Sequence, residues 1–549
     1  MRLKKTAILS QRPCKRMMLP SIPAQFLAAG CFRSVDDRKI SNVLRRVRCL
    51  KPGGNRMETL RFILPVMDYA AVLPQMILVA TAMLVLLIGV LKDWAKTAFI
   101  GHVSLLGSVL ALVSLVFSGS GGFQFSSFSG MVLTDRFSFF ITLVVCLIIV
   151  LTILVSLSYQ NFFENIKCGE YYALVLFAGV GMIFMATAGN LILLFVALET
   201  MSISIYALTG FHKSQLKSGE AALKYFLLGA FGSAFLLYGF AFVYGTTGSL
   251  DIIKIANFIQ THPQIIQFKF LVVGLVLMTA GFGFKISMVP FHMWTPDAYE
   301  GAPTSITGFM ATGVKAAAFA TLIRAILVPL APMQGSWMTI MWVAAFLTMT
   351  VGNIIALAQD NVKRMLAYSS IAHAGYILLG FVAGTNLAQA GMLFYLMAYA
   401  FMNIGAFAVV TLLCKKGKEY NSISDFSGLG FKYPALGFVM SVFMFSLAGI
   451  PPTGGFMGKF YIFTEALRSG YVWLVIAAGV NSVVSIYYYL RVVVVMYFQP
   501  QPSENPLILT AISPQAVVAL AATATTVLFM GIFPSYFWSL ASNSIFSLR

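Results

Sequence analysis

Charge is scarce in this sequence: of 549 residues only 10% are Asp, Glu, Lys or Arg, while 59% are hydrophobic. A soluble protein of that length needs a far larger charged surface to stay dispersed, so a water-soluble fold is excluded. Paired cysteines are lacking as well. Cys14, Cys31, Cys49, Cys146, Cys168 and Cys414 stand singly, without a CxxC pair, so the usual ligand spacing of an iron–sulfur cluster or zinc site is missing. Neither GxGxxG nor the GxxxxGK loop occurs, which leaves a nucleotide-binding fold no foothold. Redox chemistry that drives this protein is expected to take place elsewhere.

What is present is apolar sequence in runs of about 20 residues, each enough to cross a hydrocarbon core of roughly 30 Å. Lipid offers the backbone no hydrogen-bond partner, so only helices or a closed barrel can span it. Barrel strands alternate apolar and polar residues. The stretches 79–90 and 143–155 do not alternate, and helices are therefore expected. The predicted fold is an all-α polytopic membrane protein of about fourteen transmembrane helices. Their spans read as 72–91, 97–117, 137–158, 171–188, 190–210, 220–245, 268–288, 303–329, 337–358, 363–384, 388–414, 434–449 continuing past a break to 468, 471–497 and 512–540. Loop Lys/Arg residues divide eleven against six between the two faces, which puts the Lys363 side in the cytoplasm and both termini outside.

The formal net charge of +19 raises the question of nucleic acid, and its distribution answers no. Residues 1–56 hold fourteen Lys/Arg against two Asp, whereas the remainder holds 23 basic against 16 acidic residues. We read this basic leader as a translated upstream extension with Met57 as the true start. The alternative is an organellar transit peptide, which is also Arg-rich and poor in acids.

A weak internal repeat is visible. Ala222-Leu-Lys-Tyr-Phe-Leu-Leu-Gly-Ala-Phe resembles Met392-Leu-Phe-Tyr-Leu-Met-Ala-Tyr-Ala-Phe, and one helix later each copy reaches a break, at Lys285-Ile-Ser-Met-Val-Pro290 and at Pro451-Pro-Thr-Gly-Gly. The copies lie five helices apart, an odd number, so they should have inverted topology. Interrupted helices in inverted repeats point to a transport site, because a break frees backbone groups that need water or an ion.

Ionisable residues within the spans carry the functional signal. Glu199, Lys224, Lys285, Lys315 and Lys459 each cost roughly 2.5–3.5 kcal/mol at membrane depth, so they should face the bundle interior, paired or hydrated. Lysine suits a proton relay because burial favours its neutral form and a nearby carboxylate its charged form. Glu199 is expected to hold Lys224 protonated when close, with the proton released when the pair separates. His292, just past the first break, and His373, mid-helix, fit either a relay or a structural role. Ser369, Ser370, Thr312 and Tyr395 could order water, though helix-packing hydroxyls are the commoner reading. Arg324 and Arg491 read as helix-end residues that snorkel to the interface. His102, His212 and His262 fall at span ends.

The stretch from Gly283 to Pro303, with Lys-Ile-Ser-Met-Val-Pro-Phe-His-Met-Trp-Thr-Pro-Asp at its centre, resembles the signature of the antiporter-like, proton-conducting membrane subunits. Lys363-Arg-Met-Leu-Ala-Tyr-Ser-Ser-Ile-Ala-His and Leu447-Ala-Gly-Ile-Pro-Pro-Thr-Gly-Gly-Phe-Met-Gly-Lys support the likeness. Within that group the chain is most similar to the subunit N family of NADH:quinone oxidoreductase, respiratory complex I. Lysine rather than glutamate at 459, unlike subunit M, and the short tail after the last helix, unlike subunit L, favour N.

The resemblance implies a leader at 1–56 without counterpart, three helices in 57–170, five-helix repeats in 171–330 and 331–500, and a last helix in 501–549. It implies that Glu199 and Lys224 form the charge pair, Lys285 and Lys315 the central relay and Lys459 the second-half lysine, with His292 at the family's histidine position. It also implies proton translocation without a cofactor in this chain. NADH, FMN, iron–sulfur clusters and quinone would belong to partner subunits, and subunits M, K, J, A and H would be its neighbours in a bacterial inner membrane. A mitochondrial or chloroplast membrane is the alternative if 1–56 is a transit peptide. Two rivals remain: a subunit of a sodium/proton antiporter, which shares the signature, and a passive membrane scaffold.

Overall fold

The computed structural model describes residues 68–90, 98–120, 126–160, 162–163, 168–264, 269–414, 419–500 and 513–546. The basic leader at 1–56 lies outside the described residues. The helices in chain order are α1 (Leu73–Val90), α2 (Phe99–Ser120), α3 (Arg136–Tyr159), α4 (Gly169–Thr187), α5 (Leu191–Thr209), α6 (Leu216–Thr247), α7 (Ile252–Thr261), α8 (Lys269–Ile286) and α9 (Trp294–Gly301). Next come α10 (Thr304–Leu327), α11 (Gln334–Leu357), α12 (Val362–Ala383), α13 (Asn386–Leu412), α14 (Pro434–Ala448), α15 (Gly454–Arg468), α16 (Val472–Phe498), α17 (Pro514–Ile532) and α18 (Pro534–Phe546). Among the described residues, thirteen helices are long and apolar enough to cross a membrane. The interrupted pair α14 and α15 supplies a fourteenth crossing, in agreement with the expected architecture.

Two layers of burial organise the bundle. Every residue of α10 is buried, and so is α13 from Ala390 to Leu412. These helices are apolar all round because they are surrounded by protein. By contrast α1, α6 and α16 leave Leu87, Phe231, Tyr238, Val483 and Tyr487 exposed along one side. Apolar faces of that extent are suited to lipid or a partner helix rather than to water.

Helix starts are capped by side chains, which satisfies backbone donors that have no intrahelical partner. Asp135 accepts from the Ser138 amide at the start of α3, Asn190 from Ile192 on α5, and Asn361 from Lys363 and Arg364 on α12. Three departures from the sequence reading have local causes. Pro534 divides the single span expected over 512–540 into α17 and α18. The short α7, capped by Asp251, lies in what reads as a loop. Finally, α10 widens into π turns at Met310–Val314 and Ile323–Leu327, on either side of Lys315–Leu322.

Candidate functional site

The first cluster gathers around Lys285 in the last turn of α8. Its Nζ donates to Ser202 Oγ at 2.7 Å and to Tyr206 OH at 3.2 Å, both on α5. The ammonium also lies 5.4 Å from the Tyr206 ring centroid and 5.5 Å from that of Phe284. Glu199 is one helical turn from Ser202 on the same face of α5, near enough to act electrostatically on Lys285. One oxygen of that carboxylate, Oε1, is buried with no protein partner, and so are Tyr225 OH, Ser233 Oγ and His292 Nδ1. Buried polar atoms of this kind are where proteins hold water.

The expected Glu199–Lys224 pair is not formed. Lys224 Nζ instead contacts Glu220 at 2.7 Å and Asp297 at 3.0 Å. Its side chain is 46% exposed. The reason is depth. Where α5 hands over to α6, a Cβ on Gly210 would lie 2.9 Å from that of Ala222. Counting inward from that contact, Lys224 is two residues along and Glu199 eleven, a difference of about 13 Å at 1.5 Å per residue. The same count brings Ser233, not Lys224, level with Glu199. Lys224 belongs to a surface network in which Asp297 and Glu300 of α9 also hold Arg364 and Lys217.

The second cluster is wired differently. Lys315 Nζ donates to the carbonyl and hydroxyl of Ser370 on α12. Ser370 Oγ also accepts from Tyr399 OH at 2.8 Å and contacts Tyr299 OH at 3.4 Å. Next to it, Ser369 is hydrogen-bonded to Tyr489. His373, one turn further along α12, has both ring nitrogens engaged: Nδ1 with Tyr395 OH and Nε2 with Tyr489 OH at 3.0 Å. Tyr488 donates to Asn353 Oδ1 at 2.8 Å, and Asn353 Nδ2 donates to Tyr376 OH at 3.0 Å and Asn481 Oδ1 at 3.3 Å. Above the Tyr376 ring, 4.8 Å from its centroid, is Lys459 Nζ.

Lys459 shows why the second helix is broken. Its ammonium donates to the carbonyls of Leu447 at 3.3 Å and Ala448 at 2.9 Å, and to Ser482 Oγ at 3.0 Å. The end of α14 frees those carbonyls, and their partial negative charge suits a cation. Gly449 makes the approach possible. It is left-handed (φ +85°), and a Cβ there would lie 3.1 Å from Lys459 Nζ.

Of the remaining candidates, Thr312 bonds the Gly308 and Phe309 carbonyls of its own helix and is a packing hydroxyl. Arg491 behaves as a helix-end residue, paired with Asp360 at 2.6 Å. Arg324 does not snorkel. It is 1% exposed and its Nη2 meets both Asp135 oxygens, at 2.9 and 3.0 Å. Lys363, which counted as a loop cation, is fully buried against Glu419 at 3.0 Å.

The family model described as "NADH:quinone oxidoreductase/Mrp antiporter, TM" matches residues 188–485, a stretch that contains Glu199, Lys285, Lys315, His373 and Lys459. NADH-quinone oxidoreductase subunit N of Trichlorobacter lovleyi is 47% identical over 86% of this chain and 96% of its own length. The chain belongs to the subunit N family of NADH-quinone oxidoreductase. A chain of respiratory complex I from Thermus thermophilus with bound aureothin is 35% identical, with a TM-score of 0.71 over 85% of this chain and 99% of its own. A chain of the Mrp complex from Dietzia shares the fold alone, at 19% identity and a TM-score of 0.75 over 88% of this chain and 98% of its own.

For a subunit N family member, the ionisable candidates Glu199, Lys285, Lys315, Lys459 and His373 were visible in sequence, and of the neutral cluster residues only Ser369, Ser370 and Tyr395 were. Tyr399, Tyr488, Tyr489, Asn353 and Asn481 complete the second cluster. Each is a single polar residue in an apolar helix, and only Asn353 and Asn481, amides within spans, carried a signal that could have marked them.

Proposed function

We infer that this chain is a proton-translocating membrane-arm subunit of NADH-quinone oxidoreductase. Electron transfer from NADH, through FMN and iron–sulfur clusters to quinone, belongs to partner subunits. The neighbours are the other membrane-arm subunits, M, K, J, A and H, in a bacterial inner membrane. The chain's own part is to move protons between Lys285, Lys315, His373 and Lys459.

The ladder of polar groups between Lys315 and Lys459 carries this reading. It consists of three hydrogen-bonded groups set next to one another: Ser370 with Tyr399 at Lys315, then Ser369–Tyr489–His373–Tyr395, then Tyr488–Asn353–Tyr376, whose last ring faces Lys459. Hydroxyls and a neutral imidazole each donate one proton and accept another, so within the Ser369–Tyr489–His373–Tyr395 group a transfer at one end can be answered at the other, whereas the Asn353 amide orients its tyrosines and passes no proton. Lys315 and Lys459 are held by hydroxyls, carbonyls and aromatic faces rather than by a carboxylate. Such neutral cages do not lock a lysine in its charged form. Lys285 differs, since Glu199 is near enough to act on its charge, and this makes Glu199–Lys285 the pair whose electrostatics can gate entry to the ladder. Among the described residues no direct side-chain hydrogen bond joins Lys285 to Lys315, so that step runs through water.

Magnitudes agree. Moving one charge through 100 mV costs about 2.3 kcal/mol, which is within the range of making or breaking one buried charged contact. Lys285→Ala in the assembled complex should reduce protons pumped per NADH oxidised at least tenfold, measured in proteoliposomes. Normal pumping in an assembled Lys285→Ala complex would refute the relay. Sodium-dependent proton efflux without NADH would favour the antiporter reading instead.

A further inference from the structure

Two buried ion pairs lie at opposite ends of α10, and neither is used by the relay. Near the end of α10, Arg324 Nη2 donates to both oxygens of Asp135 and to Ser138 Oγ at 3.0 Å, with its guanidinium 5.0 Å from the Phe137 ring centroid. At the start of α10, Glu419 accepts from the Thr304 amide at 3.2 Å, from Thr304 Oγ1 at 2.7 Å and from Tyr159 OH. Its other oxygen accepts from Lys363 Nζ at 3.0 Å and Asn421 at 3.0 Å, and Lys363 also donates to the Ala302 carbonyl at 2.6 Å. Glu419 therefore caps α10 from a distant loop.

One helix is common to both ends. Asp135 is the N-cap of α3 and Tyr159 is its last residue. The two helices run antiparallel, fastened to one another head to tail twice over. Between the fastenings lies the first π turn, Met310–Val314, with Lys315 directly after it, and Arg324 stands inside the second, Ile323–Leu327. We propose that α3 is a strut and that Asp135, Arg324, Lys363 and Glu419 are positioning residues that clamp both ends of α10 and so hold Lys315 at Ser370. The proposal rests on the relay reading for its purpose, though not for its geometry. Removing one partner of a buried pair strands the other charge, so the clamp can be released at either end by a single substitution.

Hydrogen–deuterium exchange of the intact complex tests the clamp independently of proton pumping. Asp135→Asn keeps the cap on α3 and removes the charge that holds Arg324; Glu419→Gln does the same for Lys363. Each should raise amide exchange in residues 310–327 at least tenfold and at least halve the protons pumped per NADH, and Asp135→Glu should restore both. Unchanged exchange and pumping in assembled Asp135→Asn and Glu419→Gln complexes would overturn the proposal, as would loss that Asp135→Glu does not repair. Should neither variant assemble, the unmodified complex decides. The clamp requires slower exchange at Thr304–Phe309 than at Met310–Val314, and the reverse order rejects it. Normal pumping in Lys315→Ala would remove the relay instead, leaving the exchange result to judge the clamp.

Discussion

The surroundings of Lys285 and of His373 solve one problem in two ways. Both place titratable groups in the interior of an apolar bundle. Around Lys285, Glu199 Oε1, Tyr225 OH and Ser233 Oγ have no protein partner. Around His373, both imidazole nitrogens, Ser369, Tyr395 and Tyr489 form one bonded group, and Ser370 with Tyr399 a second beside it. The first region leaves several buried groups to water, and the second leaves one, Asn403 Oδ1, at its edge beside Tyr399. A site that takes up water adapts to a changing charge, which suits the region holding both Glu199 and Lys285. Directly bonded groups fix their partners and admit few alternatives.

The sharpest way to break this comparison is to remove one hydroxyl from each region. Tyr489→Phe strands Ser369 and His373 Nε2 in a dry setting, at about 1–3 kcal/mol for a buried group left unpaired. Pumping should fall about tenfold, and the melting temperature of the purified complex should fall as well. Tyr225→Phe removes a hydroxyl that bonds no protein group. Tyr225 lies flat on Trp294 with ring centroids 4.1 Å apart, a contact that phenylalanine keeps. Stability should change by less than about 0.5 kcal/mol, as for substitutions that break no specific contact. Equal effects in the two variants would erase the distinction between wet and wired regions.

A smaller effect sharpens it. High-resolution density of the complex should show ordered water within hydrogen-bond distance of Glu199 Oε1 and Ser233 Oγ. The Ser369–Tyr489–His373–Tyr395 group should show none inserted. Water between His373 and either tyrosine would move that region into the hydrated class.

How far the sequence reached follows from the same contrast. Lysine or glutamate in an apolar run is conspicuous, so Glu199, Lys285, Lys315 and Lys459 were legible, as were the two breaks. Pairing was not. Nothing in the sequence ties Arg324 to Asp135, 189 residues away, and a position near a span end made Arg324 look like an interface residue. Lys363 follows the capping residue Asn361 and so reads as a loop charge, although Glu419 buries it. Lys224 was assigned to Glu199 because both are charged and on consecutive helices, and the count from the Gly210–Ala222 contact shows why they do not meet.

The smallest expected effect concerns pH at the edge of the Glu419 cluster, outside the spans. Burial alone would raise the Glu419 carboxyl, but the Lys363 ammonium and hydrogen bonds from Tyr159, Asn421 and Thr304 outweigh it and hold the group down at about 2. Glu419 therefore keeps its charge throughout the working range, and its contribution to stability would be lost only as pH falls from the ordinary carboxylate range through about 2. His212 is the group that responds sooner. It shares Tyr159 with Glu419, at 2.9 Å, and burial pushes its imidazole down to about 4, against the opposing pull of Glu419. A histidine whose folded value is depressed binds fewer protons than the unfolded chain between its two values. Its share of stability is thus complete above about 6.5 and declines as pH falls through about 4. The melting temperature of the complex should drop on going from pH 7 to pH 5, and His212→Gln should flatten part of that slope without touching the Lys315 ladder. An identical slope in His212→Gln would assign the acid sensitivity elsewhere.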